Sequence, residues 1–129
     1  MYGVPKRLKL SIFRGLPLRS VDFLDYVVYF NFWGPAGEGR SDGKGSVQIG
    51  VEGRWELLSS AGGVTLAGTP LPSPEANLSH LPIGDTVVGG EIDAPRSFTL
   101  LFASGAKLNV YDSSDRFESF SIPQLNVYV

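Results

Sequence analysis

The stretch Ser97-Phe98-Thr99-Leu100-Leu101-Phe102-Ala103-Ser104-Gly105-Ala106-Lys107-Leu108-Asn109-Val110-Tyr111 decides the fold class. It reads as two extended runs, 97–103 and 106–111, joined at Ser104-Gly105. A two-residue connection of this kind closes a tight hairpin, because glycine accepts a positive φ. The dominant apolar period is two, not the 3.6 of a helix.

The same period recurs outward from this hairpin. Val47, Ile49 and Val51 alternate with Gln48 and Gly50, and Arg54 to Leu58 follows a turn at Glu52-Gly53. Thr86 to Ile92 and Arg116 to Ile122 read as strands. In the last run, Leu125, Val127 and Val129 share one face while Asn126 and Tyr128 share the other. Near the start, Leu8, Leu10 and Ile12 point away from Arg7, Lys9 and Ser11, which predicts a strand with a charged face against the acidic remainder. The run Tyr26-Val-Val-Tyr-Phe-Asn-Phe-Trp33 is apolar on both faces and needs cover on both.

These strands predict an all-β single domain over 1–129, built as two packed sheets or a partly open barrel. Its 129 residues, 43% of them hydrophobic, suffice for a core without a metal or disulfide staple. Two similar halves, 1–58 and 84–129, are expected around a connector at 59–83. Arg54-Trp55-Glu56-Leu57-Leu58 and Arg116-Phe117-Glu118-Ser119-Phe120 share a pattern, and each follows an alternating strand that itself follows a glycine turn, at Asp42-Gly43 and Ser104-Gly105. In the connector, Ser73 is placed to cap one helical turn, with Pro74 at its first position, Glu75 at the positive end of the dipole and Pro82 after it. Five glycines between Gly34 and Gly45 make that tract a loop.

Composition removes several function classes. With Cys 0 there is no disulfide framework, thiol nucleophile or cysteine metal site. Pro5, Lys9 and Arg14 leave no secretory apolar run, and no stretch approaches the ~20 apolar residues of a membrane span. A cytoplasmic protein without membrane contact is expected. Residues 1–19 carry Lys6, Arg7, Lys9, Arg14 and Arg19 without an acid, while the other 6 bases and all 13 acids leave the remainder at −7. Such a body repels phosphate, so nucleic acid is not expected as a partner.

Few residues suggest chemistry. Glu56 and Glu118 stand in the paired Arg-aromatic-Glu element, either as structural ion pairs or as carboxylates of raised pKa for acid–base work. His80 is the only histidine, and no Gly-x-Ser-x-Gly elbow accompanies it, so a surface or helix-end role is expected. Asp112-Ser113-Ser114-Asp115 departs from the calcium-loop spacing and reads as a turn. Gly43-Lys44-Gly45-Ser46 fails as a phosphate loop, because Glu38 stands where the first glycine belongs and no helix follows. No catalytic residue, metal or cofactor is assigned. Tyr26, Tyr29, Phe32, Trp33 and Tyr128 are the candidate interface residues, because aromatic surface seeks a partner.

The segments Leu81 to Val87, Leu101 to Val110 and Phe117-Glu118-Ser119-Phe120-Ser121-Ile122, with Trp55-Glu56-Leu57 upstream, resemble small bacterial domains of toxin–immunity systems. The likeness spans residues 45–122 and rests on hydrophobic strand patterns, with Ser104 standing where that pattern has Asp. The resemblance implies no catalytic residues. It implies a bacterial, non-enzymatic protein-binding module, an inhibitor of the immunity type, whose partner is another protein or a second copy. A small-ligand-binding β-barrel with a Trp- and Tyr-lined cavity is the alternative expectation, and an acid–base enzyme using Glu56 and Glu118 the next.

Overall fold

In a computed structural model the structure describes residues 3–34, 46–112, 119–125 and 127–129, and these described residues form ten strands. The strands are β1 Leu18–Phe23, β2 Val28–Trp33, β3 Ser46–Val51, β4 Trp55–Leu58, β5 Val64–Gly68, β6 Val87–Asp93, β7 Ser97–Phe102, β8 Lys107–Tyr111, β9 Phe120–Ile122 and β10 Val127–Tyr128. All pairings are antiparallel. The orders are β1-β2-β3-β9-β10 in sheet 1 and β5-β4-β8-β7-β6 in sheet 2. The fold is a two-sheet sandwich and does not close into a barrel.

Read from the other end, sheet 2 runs β6-β7-β8-β4-β5, the same pattern as sheet 1. Each half of the chain gives a three-stranded meander to one sheet and a hairpin to the opposite sheet. At one crossover the Glu52 and Gly53 N–H groups both donate to Ser119 O, at 2.9 and 3.0 Å, and Tyr111 N–H donates to Arg54 O at 3.0 Å.

Strand alternation decides what lies between the sheets. In β2, Val28, Phe30 and Phe32 are buried while Tyr29, Asn31 and Trp33 face outward. Val47, Ile49 and Val51 of β3, Phe98, Leu100 and Phe102 of β7, and Leu108 and Val110 of β8 turn inward likewise. Two edge-to-face pairs bridge the sheets: Phe30 with Trp55 at 5.2 Å between centroids, and Phe98 with Phe120 at 4.9 Å. Each joins the second strand of a half to the fourth. The buried Trp55 indole N–H finds its acceptor at Pro70 O, 2.5 Å away.

Several elements differ from the sequence reading. Leu8, Leu10 and Ile12 do not form a strand. Leu10–Phe13 is a 3₁₀ turn, and Leu8, Leu10 and Phe13 are the residues buried. A tight helical turn satisfies its backbone locally, and Phe13 packs edge-on to Phe32 at 5.2 Å. Among the described residues no salt bridge joins Lys6, Arg7, Lys9, Arg14 or Arg19 to an acid. β1 was unforeseen because its polar Arg19, Ser20 and Asp22 interrupt the pattern, as suits an edge strand, and a bulge between Leu18 and Ser20 shifts its register.

The connector contains a strand, β5, completing the hairpin with β4. No helix starts at Ser73. The Ala76 N–H donates to Ser73 O in a turn, and the 3₁₀ turn lies later, at Leu78–His80, where Asn77 accepts the Ser79 N–H at 3.1 Å. His80 is exposed at its end. The β7–β8 loop has three residues, not two: the Phe102 N–H donates to Ala106 O, and Gly105 takes the positive φ of 94°. Leu125 belongs to a 3₁₀ turn, Pro123–Leu125, so the last strand is only Val127–Tyr128. Among the described residues no helix is long and apolar enough to cross a membrane.

Phe98→Ala removes a ring buried between the sheets and is expected to lower unfolding free energy by about 3–5 kcal/mol. Trp33→Ala, at an outward position, should change it by about 0.5 kcal/mol or less. Urea unfolding of the two variants checks the assignment of faces, and comparable losses would contradict it.

Candidate functional site

The outward faces of the two sheets carry the polar and aromatic side chains, and they differ in kind. On sheet 2, cross-strand register aligns Glu56 with Asn109 and Asn109 with Thr99. The Thr99 hydroxyl donates to Asn109 Oδ1 at 2.5 Å, and Asn109 Nδ2 donates to Glu56 Oε1 at 3.1 Å. The Tyr111 hydroxyl donates to the same carboxylate oxygen at 2.5 Å. Arg54 reaches the other oxygen at 3.6 Å and lies over the Tyr111 ring, 4.6 Å from its centroid.

Burial alone would raise the Glu56 pKa. The hydrogen bonds from Tyr111 and Asn109 and the charge of Arg54 outweigh it and hold the carboxyl below its ordinary range. Burial, together with the bond to Glu56, pushes the Tyr111 phenol up. Glu56 is therefore an ionised structural node and not a proton donor of raised pKa. Glu118 lies outside the described residues, as do Ser113 to Phe117 and the Asp42-Gly43 turn. Asp112 accepts the Gly3 N–H at 2.9 Å and the Ser119 hydroxyl at 2.7 Å, so both its oxygens are engaged.

Sheet 1 gathers the aromatic candidates. Register places Asp22, Tyr29, Gly50, Ser121 and Tyr128 in one row across all five strands. Tyr29 and Tyr128 are three strand spacings apart, about 14 Å, and Trp33 lies about 13 Å along β2 from Tyr29. The Tyr29 ring lies over Gly50, where a Cβ would come within 3.0 Å of it. Trp33 is 42% exposed and Tyr128 49%. Tyr26 sits in the turn before β2 and is 78% exposed, beside Asp25, Glu52 and Pro70. Phe32 does not join them. It is fully buried, because its odd–even phase puts it with Phe30 in the core.

Between the aromatics runs a ladder of amides that sequence reading passed over. Asn31 Nδ2 donates to Ser20 Oγ at 3.1 Å and to Asp22 Oδ2 at 2.9 Å. Gln48 Nε2 donates to Asn31 Oδ1 at 2.9 Å, and the Gln48 N–H donates to Gln124 Oε1 at 3.0 Å. The available signal was their phase, since Asn31 and Gln48 alternate with buried residues on adjacent strands. The two tryptophans expected to line one cavity lie apart: Trp55 is core and Trp33 is on the outer face. The chain matches no protein-family model, and no curated protein or solved structure matches it.

The lowered folded-state pKa of Glu56 sets the sign of a pH effect. Its carboxylate stabilises the fold above the unfolded pKa, and that contribution disappears as pH falls through the folded value. Glu56→Gln should be less stable than the parent at neutral pH, with the gap closing in acid. Urea midpoints measured across that range check it, and a gap independent of pH would contradict it.

Proposed function

We propose that this chain is a non-enzymatic protein-binding module whose working surface is the outer face of sheet 1. The observation that carries the reading is the grouping of Tyr29, Trp33 and Tyr128 on one sheet face. Aromatic rings supply large contact area at little conformational cost, and amides and hydroxyls between them supply adaptable hydrogen bonds. The sheet beneath is rigid, so little ordering is required on association. The ionised, fully engaged Glu56 argues against acid–base chemistry on the opposite face. The finer reading, a bacterial inhibitor of the immunity type that covers a partner's active site, rests on the resemblance across residues 45–122.

Photo-crosslinking residues placed at positions 33 and 128, and at Ala67 on the outer face of sheet 2, test the face. One heterologous protein is expected to be captured from 33 and 128 and not from 67. With that protein purified, Trp33→Ala and Tyr128→Ala should each weaken binding by about 10-fold or more while leaving the unfolding midpoint in place. Equal capture from both faces, capture of a second copy alone, or full affinity in both variants would overturn the proposal.

A further inference from the structure

Sheet 1 is notched where β9 stops. Pro123 has no N–H to give a ladder, and the chain turns there into the 3₁₀ segment Pro123–Leu125. The Gln48 N–H is consequently met by the Gln124 side chain and not by a strand. The notch opens onto a depression of about 440 Å³ whose polar lining includes Ser20, Asp22, Asn31, Gln48 and Gln124, with Trp33 at its side. That volume falls within the range of small-molecule sites, roughly 300–1,000 Å³.

The hydrogen bonding within the lining determines what remains for a ligand. Asn31 uses both amide hydrogens and its oxygen on neighbours, so its role is to orient Ser20, Asp22 and Gln48. Each of those neighbours keeps a polar atom that makes no hydrogen bond among the described residues: Asp22 Oδ1, Gln48 Oε1 and the Ser20 hydroxyl hydrogen. Gln124 keeps its Nε2 hydrogens. Acceptors and donors are thus held side by side on a rigid sheet before any ligand arrives. Among the described residues the lining holds no cation and a single carboxylate, Asp22, which disfavours an anionic ligand. Trp33 adds a partly exposed aromatic surface beside this polar row.

We propose that the depression binds one ring of a neutral sugar, with hydroxyls on Asp22, Gln48 and Gln124 and the C–H face of the ring against the Trp33 indole. A sugar hydroxyl both donates and accepts, so neighbouring hydroxyls match a lining that offers acceptors on Asp22 and Gln48 and a donor on Gln124. The ring's C–H groups supply the apolar face that an indole seeks. Asn31 is a positioning residue in this site. The inference does not require a protein partner: it shares Trp33 with the protein-binding face but otherwise uses the notch beside β3 and not Tyr26 or Tyr128.

Titration of the isotope-labelled protein with methyl glycosides of glucose, galactose, mannose, xylose and N-acetylglucosamine tests it. At least one should give saturable shifts of the Trp33 indole and the Gln48 and Gln124 side-chain amides, with a Kd on the order of 1 mM for so open a site. The Trp55 indole, bonded in the core, should stay in place and report an intact fold. Trp33→Ala and Asn31→Ala should each weaken binding at least tenfold, and Tyr128→Ala should leave it unchanged. Absence of a saturable shift with all five sugars up to about 50 mM would overturn the proposal. Binding that survives both Trp33→Ala and Asn31→Ala would overturn it equally. Sugar binding retained in Tyr128→Ala, under conditions where protein capture is lost, separates this site from the protein-binding face.

Discussion

The structure depends on an exchange of hairpins between its halves, held by rings packed edge to face. The β4–β5 hairpin leaves the first half to complete sheet 2, and the β9–β10 hairpin leaves the second half to complete sheet 1. Phe30 against Trp55 and Phe98 against Phe120 pin these crossings from the two directions. Aromatic pairs bury large area and add a geometric preference that fixes how the sheets sit on one another. Neither half can complete a five-stranded sheet by itself, so the interior forms only when both are present.

An interior filled in this way sends the chemistry outward. Both outer faces carry polar ladders across three strands, yet they leave different remainders. On sheet 2 the ladder ends in Glu56, and Tyr111, Asn109 and Arg54 all converge on its carboxylate. The node satisfies itself. On sheet 1 the ladder runs through the neutral amides of Asn31, Gln48 and Gln124. Asn31 is consumed while its neighbours are held with a donor or acceptor unmet. The partly exposed Trp33 and Tyr128 add apolar contact on that face.

What was legible follows from periodicity and where it fails. Val47-Gln48-Ile49 and Lys107-Leu108-Asn109-Val110 announce strands with one buried face, and both form as read. The same rule misled at Leu8-Leu10-Ile12, where two-residue spacing over a few positions also fits a 3₁₀ turn that buries Leu10 and Phe13. β5 hid because it is short and flanked by Gly62-Gly63 and Thr69-Pro70, which leaves Val64 and Leu66 as its only two-residue spacing of large apolar side chains. In the run Tyr26 to Trp33, composition suggested burial on both faces, but phase separates Phe32 from Trp33: one is core, the other partly exposed. The amide ladder was not legible, since Asn31, Gln48 and Gln124 are ordinary surface residues until register brings them together.

The basic N-terminal segment acquires a different meaning from this architecture. A sandwich leaves two seams where edge strands face each other across the layers. Along one, Leu8 and Lys9 border Leu125 and Val127 on one side, while Leu10 and Ser11 border Gly89 and Gly90 on the other. The segment thus covers the seam between β10 and β6 with Leu8 and Leu10 inward and Lys6, Arg7 and Lys9 outward. The Arg14 side chain donates to Val88 O and the Gly15 N–H to Val87 O, which occupies carbonyls at the β6 edge. Exposed charges and engaged backbone groups at an edge discourage pairing with another chain's strand. The cations need no nucleic acid to explain them: alternating with the leucines that close the seam, they keep that closure wet on its outer side.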